Sequence, residues 1–385
     1  MTVRYDLPSP TELETLVRQQ DLAVTIYAAT SPVVHERERA QVAVKSFFDE
    51  AIERAKALGA SSESIETVRK RQAQHAGSAE LWTDVSRSLA IFVSPDVDEA
   101  FVLPNHLEDG VHVGRHFELG QLLRARGRAQ EAYALTLSAN SWQLWHATPT
   151  ARAEVLDLKG EWAHDAESVV PRTGPRDSLK RSAHEYQKML IEGYAAHVAD
   201  AVKQELGAVD GQGTVPLVVF ANDPLASLFL PRVNGRRALL VKGAPDHLDA
   251  ASIDEAIRDR LAAIAIDDTN AALAALAEGD QSRVERDIAA IGRAAVIGAV
   301  DTFYFDFTSR EQGVLDEETG AVQFAGAGHD EEHLADGSPA EDVLARIASV
   351  VLSRGGEVVA VRGADLDPSI WRSPAVARLR FPVTR

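Results

Sequence analysis

The chain has no cysteine in 385 residues. That absence excludes disulfides, iron–sulfur clusters, thiolate zinc sites and cysteine nucleophiles together. It fits a reducing compartment. No apolar run approaches the ~20 residues needed to cross a bilayer. The opening "MTVRYDLPSPTELETL" lacks the basic-then-apolar pattern of a signal peptide. A cytoplasmic protein without a membrane partner is therefore expected. No internal repeat of solenoid period is present. Positive charge is also scarce. Lys and Arg number 40 against 58 Asp and Glu, a formal net charge of −18 with a pI near 5.1. Such a surface as a whole opposes nucleic acid, so any RNA contact has to come from a local basic patch.

What is present is the composition of a globular protein, 45% hydrophobic and 25% charged. The length suits two or three domains. The first block, 1–128, reads as α/β. "DLAVTIYAAT" (21–30) is a buried-type strand, and a helix is expected over about 36–58. Val42, Val44, Phe47, Phe48 and Ile52 lie broadly on one side of that helix. "SLAIFVSP", "EAFVLPN" and "VHVGRHF" are short strands, followed by the basic "LLRARGRAQ".

A second block, 129–250, opens with two β-rich runs flanking Ala139-Asn140, a hairpin signal. A long helix is expected over 178–206. Its apolar positions Leu179, Ala183, Tyr186, Leu190, Tyr194, Val198, Val202 and Leu206 recur at helical spacing behind Asp177 as N-cap. "VPLVVFA" and "RRALLVK" are strands around a turn and short helix, "NDPLASLFL".

The third block, 251–385, begins with a helix in which Ser252 and Glu255 fit a capping box. A helix over about 281–300 runs into the strand "TFYFDF". "SPAEDVLARIASVVLSRGG" reads as a helix with Ser338 at N-cap, Pro339 at N1, Glu341 at N3 and Gly355 past its end. Strands alternating with helices imply a layered α/β fold.

Several motifs carry less than they suggest. "GHDEEHLADG" (328–337) sets His329 and His333 four apart, but Asp330 stands where a zinc protease has its Glu, and glycines break the helical frame. No metal is expected there. "FAGAGHD" and "SRGGEVV" match neither phosphate-binding glycine pattern, so no nucleotide cofactor is expected. His184 and His197 lie near Ser182, Tyr186 and Asp200, but spacing does not make a triad. His197, beside the helical stripe, reads as a satisfied half-buried histidine. Trp142, Trp145 and Trp162 read as core or core edge rather than an RNA-stacking platform.

The basic segment before the long helix is different. The expected loop, 163–178, contains "VVPRTGPRDS". Arg172, Arg176, Lys180, Arg181 and Lys188 put five cations into 172–188 against Asp177 and Glu185, a local inversion of the chain's sign. Pro171 and Pro175 suppress helix and strand, and Gly174 permits a turn. A polyanion contact is the functional reading, an exposed basic surface the structural one.

The order of hairpin, basic loop, long helix, strand and following α/β block resembles the class 1 release factor and Pelota superfamily. More narrowly, it resembles the bacterial archaeo-eukaryotic release factor families. The strings that carry the resemblance are "YALTLSANSWQLW", "SAHEYQKMLIEGYAAHVADAV", "PLVVFANDPLASLF", "GRAAVIGAVDTFYFD", "GVLDEETGAV" and "VLSRGGEVVAV", spread over about 132–362. The resemblance implies a three-domain chain. Its parts would be an N-terminal α/β domain, an RNase H-like middle domain, and a C-terminal α/β sandwich similar to the kink-turn-binding ribosomal-protein fold. It implies the ribosome as partner, through ribosomal or transfer RNA, and a translational GTPase through the C-terminal domain.

In release factors of this superfamily the loop before the long helix carries Gly-Gly-Gln and promotes peptidyl-tRNA hydrolysis. Here Arg172-Thr173-Gly174-Pro175-Arg176 stands in that loop, and no Gly-Gly-Gln occurs in the chain. Pro175 has no N–H to offer, while arginine favours phosphate. The resemblance thus points to a ribosome-binding factor for hibernation, stalling or rescue. It has no catalytic motif of its own, and Arg172, Gly174, Arg176, Lys180, Arg181 and Lys188 are its RNA-binding candidates. Two alternatives stand beside it. One is a peptidyl-tRNA hydrolase using His184 or Gln187. The other is an RNase H-like nuclease with a carboxylate-held metal.

Overall fold

Strand Ala23–Ala29 has buried side chains on both faces, and the two faces belong to different layers. In the computed structural model, which describes residues 1–31, 33–127, 131–148, 152–169, 183–325 and 341–383, the chain divides into two compact units. One is 1–128 with 264–385, the other 129–263.

In the first unit, five strands lie in the order 2–4, 98–103, 88–93, 23–29, 110–114. Val24, Ile26 and Ala28 face helices Val34–Ala57 and Ser62–Gly77, meeting Val44, Phe48, Ile52 and Val68. Ala23 and Tyr27 face the other way. They share a second cluster with Phe92, Phe101, Ile291, Phe303, Leu344 and Ile347. This is why the strand reads as continuously apolar. The 264–385 part supplies strands 284–285, 375–379, 300–306 and 357–361 in that order, with a small sheet of 322–324, 312–315 and 341–342. Its helices Ile288–Val296 and Val343–Ser353 contribute to the shared cluster. Polar contacts run along the same seam. His116 Nδ1 lies 2.9 Å from Glu341 and Arg124 2.5 Å from Asp365. The guanidiniums of Arg124 and Arg362 sit 5.5 and 5.9 Å from the centre of the Phe307 ring.

The second unit has strands in the order 238–241, 217–221, 132–137, 142–147, 154–155. The first three in chain order are antiparallel, and 217–221 and 238–241 run parallel to 132–137. The expected hairpin is present, with Leu135 opposite Leu144. Ser138 Oγ accepts the N–H groups of Asn140 and Ser141 in its turn. Helix Ala183–Val209 covers one face of the sheet. Tyr194, Val198, Val202 and Leu206 are buried as the stripe requires. Tyr186 and Leu190 are half-buried, and Leu179 and the side chain of Ala183 lie outside the described residues.

Five expectations are corrected. Val42 is 67% exposed. On a 3.6-residue helix it lies some 200° from Val44, off the Val44–Phe48–Ile52 stripe. The third-block helix, Ala250–Glu278, is capped by Asp249 and not by Ser252, because Asp249 Oδ1 accepts the Ser252 N–H at 2.8 Å. The helix placed at 338 starts at Val343. Asp342 Oδ1 takes the Leu344 N–H, and Glu341 is held in a strand opposite Gly313. The stretch 281–300 holds a 3-10 turn, a two-residue strand, and helix Ile288–Val296 capped by Asp287. Finally, residues 163–169 of the expected loop are packed and include helix Ala166–Val169. Helix Ser62–Gly77 and strand Thr2–Arg4 are additions that the sequence pattern does not announce.

Phe303 sits at 0% exposure in the cluster shared by both sheets of the first unit. Phe303→Ala should cost about 3–5 kcal/mol through the cavity it leaves. Because the core is continuous, hydrogen exchange should accelerate in 88–93 as well as in 300–306. Acceleration confined to 284–379 would show that the two sheets unfold independently.

Candidate nucleic-acid interface

The basic segment is entered from residues 159–169 and left through helix Ala183–Val209. The entry is tied down by one carboxylate. Glu205, 5% exposed on the buried side of the helix, accepts three N–H groups. They are the Lys159 amide at 3.0 Å, the Gly160 amide at 2.9 Å and the Trp162 indole at 2.7 Å. Gly160 is required by this approach, since a Cβ there would collide with Trp162 Nε1 and lie 3.1 Å from Glu205 Oε1. Burial works against the charge of Glu205. The three donors and Lys159's charge outweigh it and hold the carboxyl below its ordinary value.

Further bonds continue along the stem. Trp142 Nε1 donates to Ala163 O at 2.9 Å, and the Ala163 N–H reaches His197 Nε2 at 3.2 Å. Tyr194 OH donates to His164 O at 2.9 Å, and the Ala166 N–H to Ala139 O at 3.2 Å. Asp165 caps the short helix by accepting from Ser168 N and Oγ, both at 2.8 Å. The stem is thereby fixed to the hairpin and to the middle of the helix. His197 is the satisfied, half-buried histidine expected, edge-on to Trp162. Trp142 and Trp145 are buried, at 1% and 8% exposure, and Trp162 is half-buried with its N–H bonded. They are core and not a stacking platform.

A second clamp holds the described residues on either side of the connection between strands 142–147 and 154–155. Asp254 and Arg258, both buried on helix Ala250–Glu278, take the Ala153 N–H at 2.9 Å and give to Thr148 O at 2.9 Å.

Of the candidates read from sequence, Lys188 and Gln187 are exposed in the first two turns of helix Ala183–Val209. Lys188 Nζ is 3.9 Å from Glu192, a loose pair between exposed groups, so its charge stays available to an anion. Arg172, Gly174, Arg176, Lys180 and Arg181, the side chain of His184, and His329 and His333 lie outside the described residues. Among the described residues no group of three or more His, Asp or Glu is placed to hold a metal, and no helix is long and apolar enough to cross a membrane. Sequence reasoning misses the clamp of Glu205. Its only local signal is an acid standing three residues after Val202 and next to Leu206 on the buried stripe.

Charge is unevenly spread along the chain. Residues 1–128 hold 15 Lys and Arg against 19 Asp and Glu, and 129–263 hold 14 against 18. The last part, 264–385, holds 11 Arg and no Lys against 21 acids. The excess of acid thus falls chiefly at the C-terminal end, away in sequence from the basic segment.

Residues 129–267 match the model of bacterial archaeo-eukaryotic release factor family 11. No protein of curated function matches the chain. Among solved structures, the archaeal translation termination factor aRF1 is 13% identical, with 96% of each chain covered and a TM-score of 0.25. Dom34 of S. cerevisiae is described as a translation termination-like factor involved in RNA quality control and interacting with Hbs1. It is 10% identical over 77% of this chain and 74% of its own, with a TM-score of 0.32. Archaeal Pelota, from a ribosome-bound assembly with ABCE1, is 11% identical over 98% and 96%, with a TM-score of 0.33.

Glu205→Gln should detach the stem, because an amide turns an N–H toward one of the three donors. Leaving buried donors unmatched costs on the order of 1–3 kcal/mol. The folded-state pKa is depressed, so the clamp's stability is present above the unfolded carboxylate value. It fades as pH falls through the folded one. Urea unfolding should therefore separate wild type from Glu205→Gln at neutral pH and bring them together in acid, below the folded-state value. An equal gap in both conditions would rule out the charged form of Glu205 as the clamp.

Proposed function

We propose that this chain is a ribosome-associated, release-factor- and Pelota-like translation factor that acts by binding. Its contact with ribosomal or transfer RNA is made by the basic segment ahead of helix Ala183–Val209. The observation that carries this reading is the coincidence of three features within the family-matched stretch 129–267. Five cations fall between 172 and 188, the Gly-Gly-Gln of the release loop is missing, and the stem into the segment is fixed by Glu205. A fixed stem leading into an arginine-rich segment suits phosphate recognition. Arg172, Arg176, Lys180 and Arg181 are the phosphate ligands in this proposal, Gly174 the turn between them, and Lys188 a contact at the base of the helix.

The strand order of 129–263 supports the RNase H-like reading of the middle part, with three antiparallel strands and two more joined in parallel to the first. Along the chain we take 1–128, 129–250 and 251–385 as the three modules of the family. The physiological setting proposed is hibernation, stalling or rescue, in the cytoplasm. The acidic 264–385 part repels RNA, so its partner in this reading is a protein, a translational GTPase.

The four-alanine variant of Arg172, Arg176, Lys180 and Arg181 should co-sediment with ribosomes more weakly than wild type at matched salt. Its log-affinity should also fall less steeply with log salt, since each phosphate contact adds roughly 0.7–0.9 to that slope. Wild type should release little peptide from peptidyl-tRNA. Unchanged co-sedimentation of the variant would remove the basic segment from the interface. Robust hydrolysis by wild type would replace the binding mechanism by a catalytic one.

A further inference from the structure

In the unit formed by 1–128 and 264–385, a buried cation is incompletely paired among the described residues. Arg346, on helix Val343–Ser353, is 7% exposed. Its Nη2 meets Glu317, and its Nε lies 3.6 Å from Glu341 Oε2. Its Nη1 is buried with no hydrogen-bond partner among the described residues. A guanidinium carries five N–H donors and no means of losing its charge in ordinary conditions. Burial lowers its pKa to about 10, which leaves it cationic at neutral pH.

Arg346 lines a cleft of about 470 Å³. Glu14 and Arg18 form the wall from the N-terminal helix and the turn after it, and Glu317 a third side. Ser349 and Ser353 continue along the Arg346 face of the helix. The volume falls in the range of small-molecule sites, ~300–1,000 Å³. Glu317 is the informative member. Its side chain is 56% exposed, against 9% for the Arg346 side chain it pairs with. It follows Asp316, whose carboxylate fixes the turn by accepting the N–H groups of Glu318 and Thr319 at 2.9 Å. An exposed carboxylate can return to water at little cost, whereas the buried guanidinium needs an acceptor at all times. Glu317 is therefore placed as a replaceable acceptor.

We propose that this cleft binds the oxyanion group of a small molecule, a phosphate or a carboxylate, which takes the place of Glu317 on Arg346 and is met at the rim by Arg18. With Glu317 turned out, Glu341 still faces Arg346 Nε, which leaves the Nη1 and Nη2 donors to the ligand, while Arg18 offsets Glu14 at the rim and Ser349 and Ser353 line the same cleft. A nucleic-acid strand is a poor occupant here, because 264–385 carry 21 acids against 11 bases.

The test is calorimetric titration of the full chain, at constant ionic strength, with inorganic phosphate and separately with citrate. Glu317→Ala removes the internal competitor and should bind about fivefold tighter than wild type, the size of one exposed ion pair. Adding Arg18→Ala should take back about the same factor, and Arg346→Lys in the Glu317→Ala background should weaken binding further. Phosphate binding tighter than citrate assigns a phosphate ligand, and the reverse a carboxylate. No saturable binding of either anion to Glu317→Ala overturns the proposal. Affinity indifferent to Arg18→Ala does the same, and that exposed position decides the matter even where Arg346→Lys fails to fold. No ribosome enters the assay, so its outcome is independent of the translational reading.

Discussion

The carboxylate of Glu205 fixes where the chain leaves the middle sheet and turns toward the basic segment, and everything proposed for that segment depends on this constraint. Two backbone amides and an indole N–H converge on it from 159–162, and Gly160 is the residue that lets them. A buried charge with three donors is an expensive device to leave half made. The remaining stem bonds, from Trp142, Tyr194 and Ala163, fall in line once Glu205 has set the register of the stem on the helix. Such a stem gives the residues that follow it a defined point of departure.

Charge is unevenly distributed over the parts of the chain. A chain of net charge −18 gains affinity for RNA only where cations are concentrated and the surrounding excess of acid is small. Residues 172–188 meet the first condition, and 129–263, with 14 bases to 18 acids, come nearer to the second than 264–385, with 11 to 21. In the proposed reading, the acidic remainder would restrict RNA contact to that segment and penalise unspecific adhesion, so selectivity would come partly from repulsion.

Local patterns are readable in the sequence where the structure settles them locally. The hairpin around Ala139-Asn140 has its turn bonds within four residues, and the Tyr194–Leu206 stripe needs only the 3.6-residue period. Helix starts are harder because several residues of the right type compete. Ser252 and Ser338 both look like caps, yet Asp249 and Asp342 take the amides. In the second case strand pairing of Glu341 with Gly313 decides it from outside the helix. The role of Glu205 is not readable, because its partners lie 43 to 46 residues away and are ordinary residues on their own. Nor is the core shared by Phe101 and Phe303, since each reads as an ordinary strand residue of its own block.

That shared core bears on how the two ends of the chain hold together. Tyr27 and Phe92 cover the same cluster as Ile291 and Ile347. Residues 1–128 and 264–385 therefore bury one another's apolar faces, and the unit 129–263 has its own cluster around Trp142, Tyr194 and Phe229. Because the stem is held by Glu205, Trp142 and Tyr194, all outside 170–182, its bonds do not depend on which residues fill that stretch. In the proposed reading, Gly-Gly-Gln and an arginine-rich segment are alternatives that such a stem could carry. The first would bring backbone amides and a side-chain amide to an ester, and the second, in that reading, would bring charge to phosphate. With Pro175 lacking an N–H and Arg172 and Arg176 on either side, this chain carries the second.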